Sequence, residues 1–247
     1  MWHDVKALNT VTGILWILCG LALLTAGLVW LAQRPMFALK GIVVQGVGDT
    51  ELRHVNVLTV KTTALPRLKG NFFTTNLDAV RAAFEAVPWV RKATVRRDWP
   101  NKLVVSIEEH QPLGTWGEEG QLLSTKGDVF VANLAEAEED IKLLEFYGPD
   151  GSEKEVLTRY AELDEWLKPI GMTPVSVELS GRFAWTVTLD NGMKLKMGRD
   201  HGKEKTKQLF ASLVQVYPQL KARFGDRMDG LDLRYPNGFA VATRAGT

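Results

Sequence analysis

With 247 residues, 45% hydrophobic and 24% charged, the chain has room for one large or two small folded domains and is too apolar for bulk disorder. Its 30 Lys and Arg against 29 Asp and Glu leave a formal net charge of +1, which excludes a global field able to gather nucleic acid or an anionic surface. The single cysteine, Cys19, excludes an internal disulfide and suits an oxidising compartment.

No charged residue stands between Lys6 and Arg34, and residues 11–32, VTGILWILCGLALLTAGLVWLA, are an almost unbroken apolar run of 22 residues. As a helix this run would extend about 33 Å, enough to cross a hydrocarbon core. A cleaved signal peptide has a shorter apolar region, roughly 7 to 15 residues, ending at a small-x-small site. This run is longer and ends Leu31-Ala32-Gln33, so it predicts an uncleaved transmembrane helix over 11–32, with Trp30 at the interface and Pro35 as a stop. A tail (1–10) precedes it and a linker (33–36) follows. Lys6 and the α-amino group before the span balance Arg34 and Lys40 after it, so charge counting sets no orientation.

The first soluble stretch, 37–110, opens with LKGIVVQG (39–46), a predicted strand closed by Gly46 and Gly48. Leu52, Val55 and Leu58 follow at three-residue spacing after Thr50, predicting a short capped helix. A second helix carries Leu77, Val80, Phe84 and Val87 on one face and stops at Pro88. Two segments of period two, ATVRRDW and KLVVSIE, then join at Pro100-Asn101, residues suited to a tight turn. The order is strand, helix, helix, strand, strand.

The second stretch, 111–247, begins with short strands punctuated by Gly117, Gly120 and Gly127, and its acidic EAEED (136–140) reads as a solvated loop. Val156, Tyr160, Leu163 and Leu167 mark a helix ended by Pro169 and Gly171. A strand over 175–179 precedes the hairpin FAWTVTLDNGMKLKMG, whose Asn191-Gly192 predicts a two-residue I′ turn. A helix over 203–217, with Leu209, Leu213 and Val216 inward, leads to the closing hairpin LDLRYPNGFAVAT. Its second arm is the last element, a strand whose outer edge has no neighbour in sequence. In all, the pattern is α+β: one transmembrane helix, a strand-helix-helix-strand-strand domain, and a mixed β domain with flanking helices.

The search for chemistry ends in elimination. His3, His54, His110 and His201 are scattered, without metal-ligand spacing. GVGDTE has Glu51 where a dinucleotide loop needs its third glycine, and GRDHGKEK is one residue short of a phosphate loop, with Glu204 where Ser or Thr belongs. Glu108 and Glu109 alternate across a strand and cannot cooperate as acid and base. The reading is of a non-catalytic chain with no cofactor. Arg91, Lys92, Arg96 and Arg97 could grip phosphates, but Arg96 and Arg97 fall on opposite strand faces with no aromatic platform, which favours a solvated face or a protein contact.

Four stretches carry a family resemblance: PWVRKATVRRDWPNKLVVSIEEHQP (88–112), FYGPDGS (146–152), GRFAWTVTLDNGMKLKMGR (181–199) and LDLRYPNGFAV (231–241). With them the whole chain resembles the bacterial cell division FtsQ/DivIB family, bitopic inner-membrane proteins with a cytoplasmic N-terminus, a periplasmic POTRA domain and a β domain. The resemblance implies a scaffold at the division septum that holds FtsB and FtsL and meets FtsK through its POTRA part. It also implies that the last strand pairs with a strand of FtsB. On this chain the partner-binding residues so implied are Arg182, Arg234, Tyr235, Asn237, Gly238, Phe239, Ala240, Val241, Ala242 and Thr243. Two departures stand out: Thr243 replaces a large aromatic common in the family, and Pro236 replaces an acidic or polar residue. The alternative is a POTRA-bearing, chaperone-like receptor for export or outer-membrane assembly; the lack of repeated POTRA units and of a following barrel weighs against it.

Overall fold

The computed structural model describes residues 5–32, 34–64, 66, 70–200, 202–235 and 238–243. The chain divides into two compact units, Met1–Glu109 and His110–Thr247.

The first unit begins with α1 (Val5–Ala32), and its segment Asn9–Leu31 is long and apolar enough to cross a membrane. A three-stranded sheet follows, built from β1 (Gly41–Gly46), β2 (Val90–Asp98) and β3 (Lys102–Glu109) in the order β1-β3-β2. The central β3 runs parallel to β1 and antiparallel to β2. It is central because Leu103, Val104, Val105 and Ile107 are all buried, a near-continuous apolar run that needs cover on both faces. Helix α2 (Val57–Thr63) starts later than the spacing of Leu52 and Val55 suggests, because Asn56 rather than Thr50 is the cap. The Asn56 side chain accepts from the Thr59 N–H, while the Thr50 hydroxyl donates back to the Val47 carbonyl. Helix α3 (Leu77–Glu85), capped by Asn76, buries Val80, Ala83 and Phe84 as its periodicity requires.

The second unit is a nine-stranded mixed sheet with helices against it. Its strands are β4 (Pro112–Trp116), β5 (Gln121–Ser124), β6 (Val129–Phe130), β7 (Leu144–Tyr147), β8 (Pro174–Leu179), β9 (Ala184–Leu189), β10 (Lys194–Arg199), β11 (Met228–Asp232) and β12 (Ala240–Thr243). Their order across the sheet is β12-β11-β10-β9-β8-β7-β4-β5-β6. The whole acidic segment 136–140, expected in a loop, lies instead in α4 (Leu134–Asp140): Asn133 accepts from the Ala135 N–H, and Ala137 is buried, which gives the short helix one anchored turn. Helix α5 (Glu153–Leu167) buries Val156, Leu163 and Leu167. Helix α6 (Lys203–Phe224) runs past Pro218, whose missing N–H costs one bond of the ladder, and ends at Gly225. Its buried face is Thr206, Phe210, Leu213 and Tyr217, so Leu209 and Val216 flank the core instead of leading it. The core itself is filled by Phe146, Leu163, Trp185, Val187, Leu195, Phe210 and Leu231.

The hairpin between β9 and β10 departs from the predicted I′ turn. Gly192 has φ of 82°, but Asn191 is not among the residues of positive φ. The Gly192 N–H donates to the Leu189 carbonyl and the Leu189 N–H to that of Met193, a three-residue loop in which a glycine bulge follows an ordinary turn. The Asn191 carboxamide accepts from the Met193 N–H, which locks this form.

Candidate partner-binding edge

At one margin of the large sheet, β12 pairs antiparallel with β11, with Asp232 opposite Ala240, Leu231 opposite Val241, Gly230 opposite Ala242 and Met228 opposite Thr243. Among the described residues no strand lies on the other side of β12. Its outward row of N–H and C=O groups is therefore open, an arrangement that natural sheets seldom leave unguarded. The alternation divides the strand over 239–242: Phe239 and Val241 pack on the core, whereas Ala240 and Ala242 are exposed, and Thr243, on the Val241 face, is exposed at the strand's end. Gly238 is exposed just before the strand. Asn237, and Pro236 beside it, lie outside the described residues.

The segment leading out of β11 continues the ladder for one residue, since the Leu233 N–H donates to the Lys196 carbonyl at 2.8 Å and Leu233 is buried. Arg234 and Tyr235 then leave the sheet. Tyr235 is 54% exposed, so it is not a core residue of the sheet. The Arg234 guanidinium grips Asp232 from two nitrogens, Nε at 2.8 Å from Oδ1 and Nη2 at 2.5 Å from Oδ2. That hydrogen bonding is the main reason the Asp232 carboxyl lies below the usual carboxylate value; burial, the next influence in size, opposes it.

Arg182 reaches the same end of the sheet by another route. It sits in the turn between β8 and β9, where the Phe183 N–H donates to the Ser180 carbonyl and the Ala184 N–H to the Ser180 hydroxyl. Its own carbonyl accepts from Arg199 Nε at 3.2 Å. One residue before Arg199, Gly198 has φ of 72° at a bulge in β10, and a Cβ there would stand 2.9 Å from Arg234 Cγ. Arg182, Arg199, Gly198 and Arg234 thus form a chain of contacts across three strands, at the end where β12 begins. The structure gathers Arg182, Arg234 and Tyr235 there and sets 240–243 along the edge. Sequence reading missed Gly198, Arg199 and Asp232. Only the last had a local signal, a carboxylate two residues before an arginine on the same strand face.

Residues weighed for other chemistry have structural work. Glu109 accepts from the N–H groups of Arg53, His54 and Val55, and Arg91 pairs with Glu108 at 3.3 Å. Arg97 donates to the carbonyls of Phe72 and Thr75 at 2.7 and 2.9 Å. Among the described residues, no three of His, Cys, Asp and Glu come together as a metal-binding group.

Each of the two units matches a family of known proteins. Residues 38–110 match the family described as POTRA domain, FtsQ-type, and residues 114–234 match Cell division protein FtsQ/DivIB, C-terminal. A cell division protein FtsQ of Burkholderia pseudomallei is 48% identical over 98% of this chain and 94% of its own length. One of Bordetella pertussis is 43% identical over 98% and 93%, and one of Nitrosospira multiformis 37% over 98% of each. Helix α1 fits the single span of a bitopic membrane protein. On these similarities, which run nearly end to end, the chain belongs to the FtsQ/DivIB family of cell division proteins.

Proposed function

We propose that the chain is a non-catalytic scaffold of the division machinery, held in the inner membrane by α1 with its N-terminus cytoplasmic and its two folded units periplasmic at the septum. It holds an FtsB and FtsL pair by adding an FtsB strand to β12, and it meets FtsK through the first unit. What carries the reading is the open outer side of β12 beside the exposed Arg234 and Tyr235. Strand addition draws affinity from main-chain bonds and selection from alternate side chains. Ala240 and Ala242 leave little bulk in the way of an incoming chain on their face.

Each main-chain bond contributes only about 0.5 to 1.5 kcal/mol net, so four or five give a modest total and the anchors must supply the rest. Tyr235 offers an aromatic surface, and Arg182 and Arg234 offer forks for carboxylates on the partner strand. The test is hydrogen exchange on the full chain in lipid nanodiscs, with and without the soluble part of an FtsB and FtsL complex. Strand addition predicts new protection of the amides in 240–243. Binding without that protection rejects it.

A further inference from the structure

The end of the small sheet where β1 begins, β2 ends and β3 begins is the end nearest the membrane span along the chain, and it carries exposed aromatics that the edge at β12 does not use. Trp99, in the turn between β2 and β3, is 77% exposed, the most of any large apolar side chain described. Phe73 is 49% exposed, its ring 4.9 Å from that of Phe37. A series of hydrogen bonds ties this end to α1. The Arg34 N–H donates to the Leu31 carbonyl, the Phe37 N–H to that of Arg34, and the Phe72 N–H to that of Phe37. The Phe72 carbonyl then accepts from Arg97 Nε, and the Lys40 N–H donates to the carbonyl of Asn101, two residues past Trp99.

We propose that this end of the sheet rests in the interfacial layer of the bilayer, with Trp99 as its anchor and Phe73 beside it. The proposal rests on α1 being a transmembrane span. Residues 33–40 could reach about 30 Å if fully extended, but the hydrogen bonds from Leu31 to Phe72 take up that slack, so the turn cannot stand far from the surface. The chemistry suits the site. A tryptophan ring with one polar N–H prefers the headgroup level to either water or hydrocarbon. The exposed Lys40 and Lys102 adjoin this turn, Lys40 through its N–H to Asn101 and Lys102 three residues past Trp99, and the exposed Arg34 stands at the end of the span, cations for lipid phosphates. Arg34 already lies over the Trp30 ring, 3.6 Å from its centroid, at the end of the span. A large exposed aromatic in a basic setting, close to a membrane that must be there, has the bilayer as its nearest apolar surface.

The experiment compares the full chain with Trp99→Phe, each reconstituted in vesicles of phosphatidylglycerol and phosphatidylcholine, with or without bromine on the acyl chains near the headgroup. Phenylalanine keeps a ring at an exposed site, so folding is preserved, and circular dichroism checks it. The fluorescence difference between the two chains isolates Trp99. The proposal expects that difference signal to be blue-shifted and to fall by about half or more in brominated vesicles, at low and high chain density alike. A red-shifted difference signal that bromine leaves unchanged and aqueous iodide quenches overturns it. A blue shift that grows with chain density, without bromine quenching, also overturns it and assigns the surface to a second copy of the chain. Trp16 and Trp30 are present in both chains and report the span independently: if bromine quenches neither chain, it is the transmembrane reading of α1 that has failed.

Discussion

Two arginines of the second unit each meet an aspartate, and their surroundings make them opposites. Arg159 on α5 is buried, with Nη1 3.2 Å from Glu162 Oε2 and Nη2 bonded to Asp200. Lys203 closes the other side of Glu162 at 2.9 Å, and the Arg159 guanidinium lies over the Trp185 ring, 5.2 Å from its centroid. Among the described residues Arg234 meets one carboxylate, Asp232, and 57% of its side chain is exposed. The same pair of residue types therefore fastens α5 to the start of α6 in one place and keeps a hand free beside an open strand in the other. Burial, not residue type, separates the structural tie at Arg159 from the exposed fork at Arg234 that the proposed contact would use.

The largest effect should come from cutting the buried member. Arg159→Ala leaves Asp200 without its guanidinium and Glu162 with the exposed Lys203 alone, a loss of about 3 kcal/mol for the second unit, where removal of one partner of a buried pair is the governing cost. Urea unfolding of the full chain in detergent measures it. A change below about 1 kcal/mol would place Arg159 in the same class as a surface pair and erase the contrast.

Next in size is the anchor beside Arg234. Tyr235→Ala should weaken binding of the soluble FtsB and FtsL complex by about 2 kcal/mol or more, while the unfolding free energy stays within about 0.5 kcal/mol of the parent chain's. Calorimetric titration and the urea curve give the two numbers. Equal losses in both would make Tyr235 a packing residue, which its exposure argues against. Gly198→Ala comes third: it forces a left-handed backbone on alanine and presses Cβ against Arg234 Cγ, for about 1 kcal/mol of stability, with a shift of the Arg234 stem detectable by NMR.

The sequence made the local features of both regions readable and hid how they are joined. Periodicity found α3 and α5 because Val80, Phe84, Val156 and Leu163 each need a dry face. It failed for α4, where one buried alanine and a cap outweigh a run of carboxylates, and it found α6 but stopped it at 217, where tertiary packing carries the helix on through Pro218 to Phe224. The Asn191-Gly192 pair announced a hairpin without fixing its loop length. The last hairpin and its open arm were legible; the parallel join of β10 to β11, which brings Gly198 to Arg234, was not. Parallel pairing leaves no turn signal, since its partners are separated by the whole of α6.

Acid should distinguish the two aspartates last and least. Both carboxyls lie below their ordinary value of 3.8, for reasons weighted differently. For Asp200 burial is the largest influence and pushes upward, but the Gly202 N–H, the Arg159 charge and the Thr206 hydroxyl together overcome it. For Asp232 the Arg234 hydrogen bond leads. Since both bind protons less readily folded than unfolded, each stabilises the folded chain at and above pH 3.8, and that contribution disappears as pH falls through the lower folded values. Protonating Asp200 loosens a joint between helices, so Asp200→Asn should flatten the acid limb of the stability curve. Protonating Asp232 only unclips an exposed arginine, so Asp232→Asn should leave that limb nearly unchanged and act on recognition instead. With its internal carboxylate gone, Arg234 is free to pair with an acidic residue of the incoming strand, and affinity at neutral pH should rise modestly and become more sensitive to salt. A fall in affinity would mean that the clip positions the guanidinium for its partner rather than competing with it.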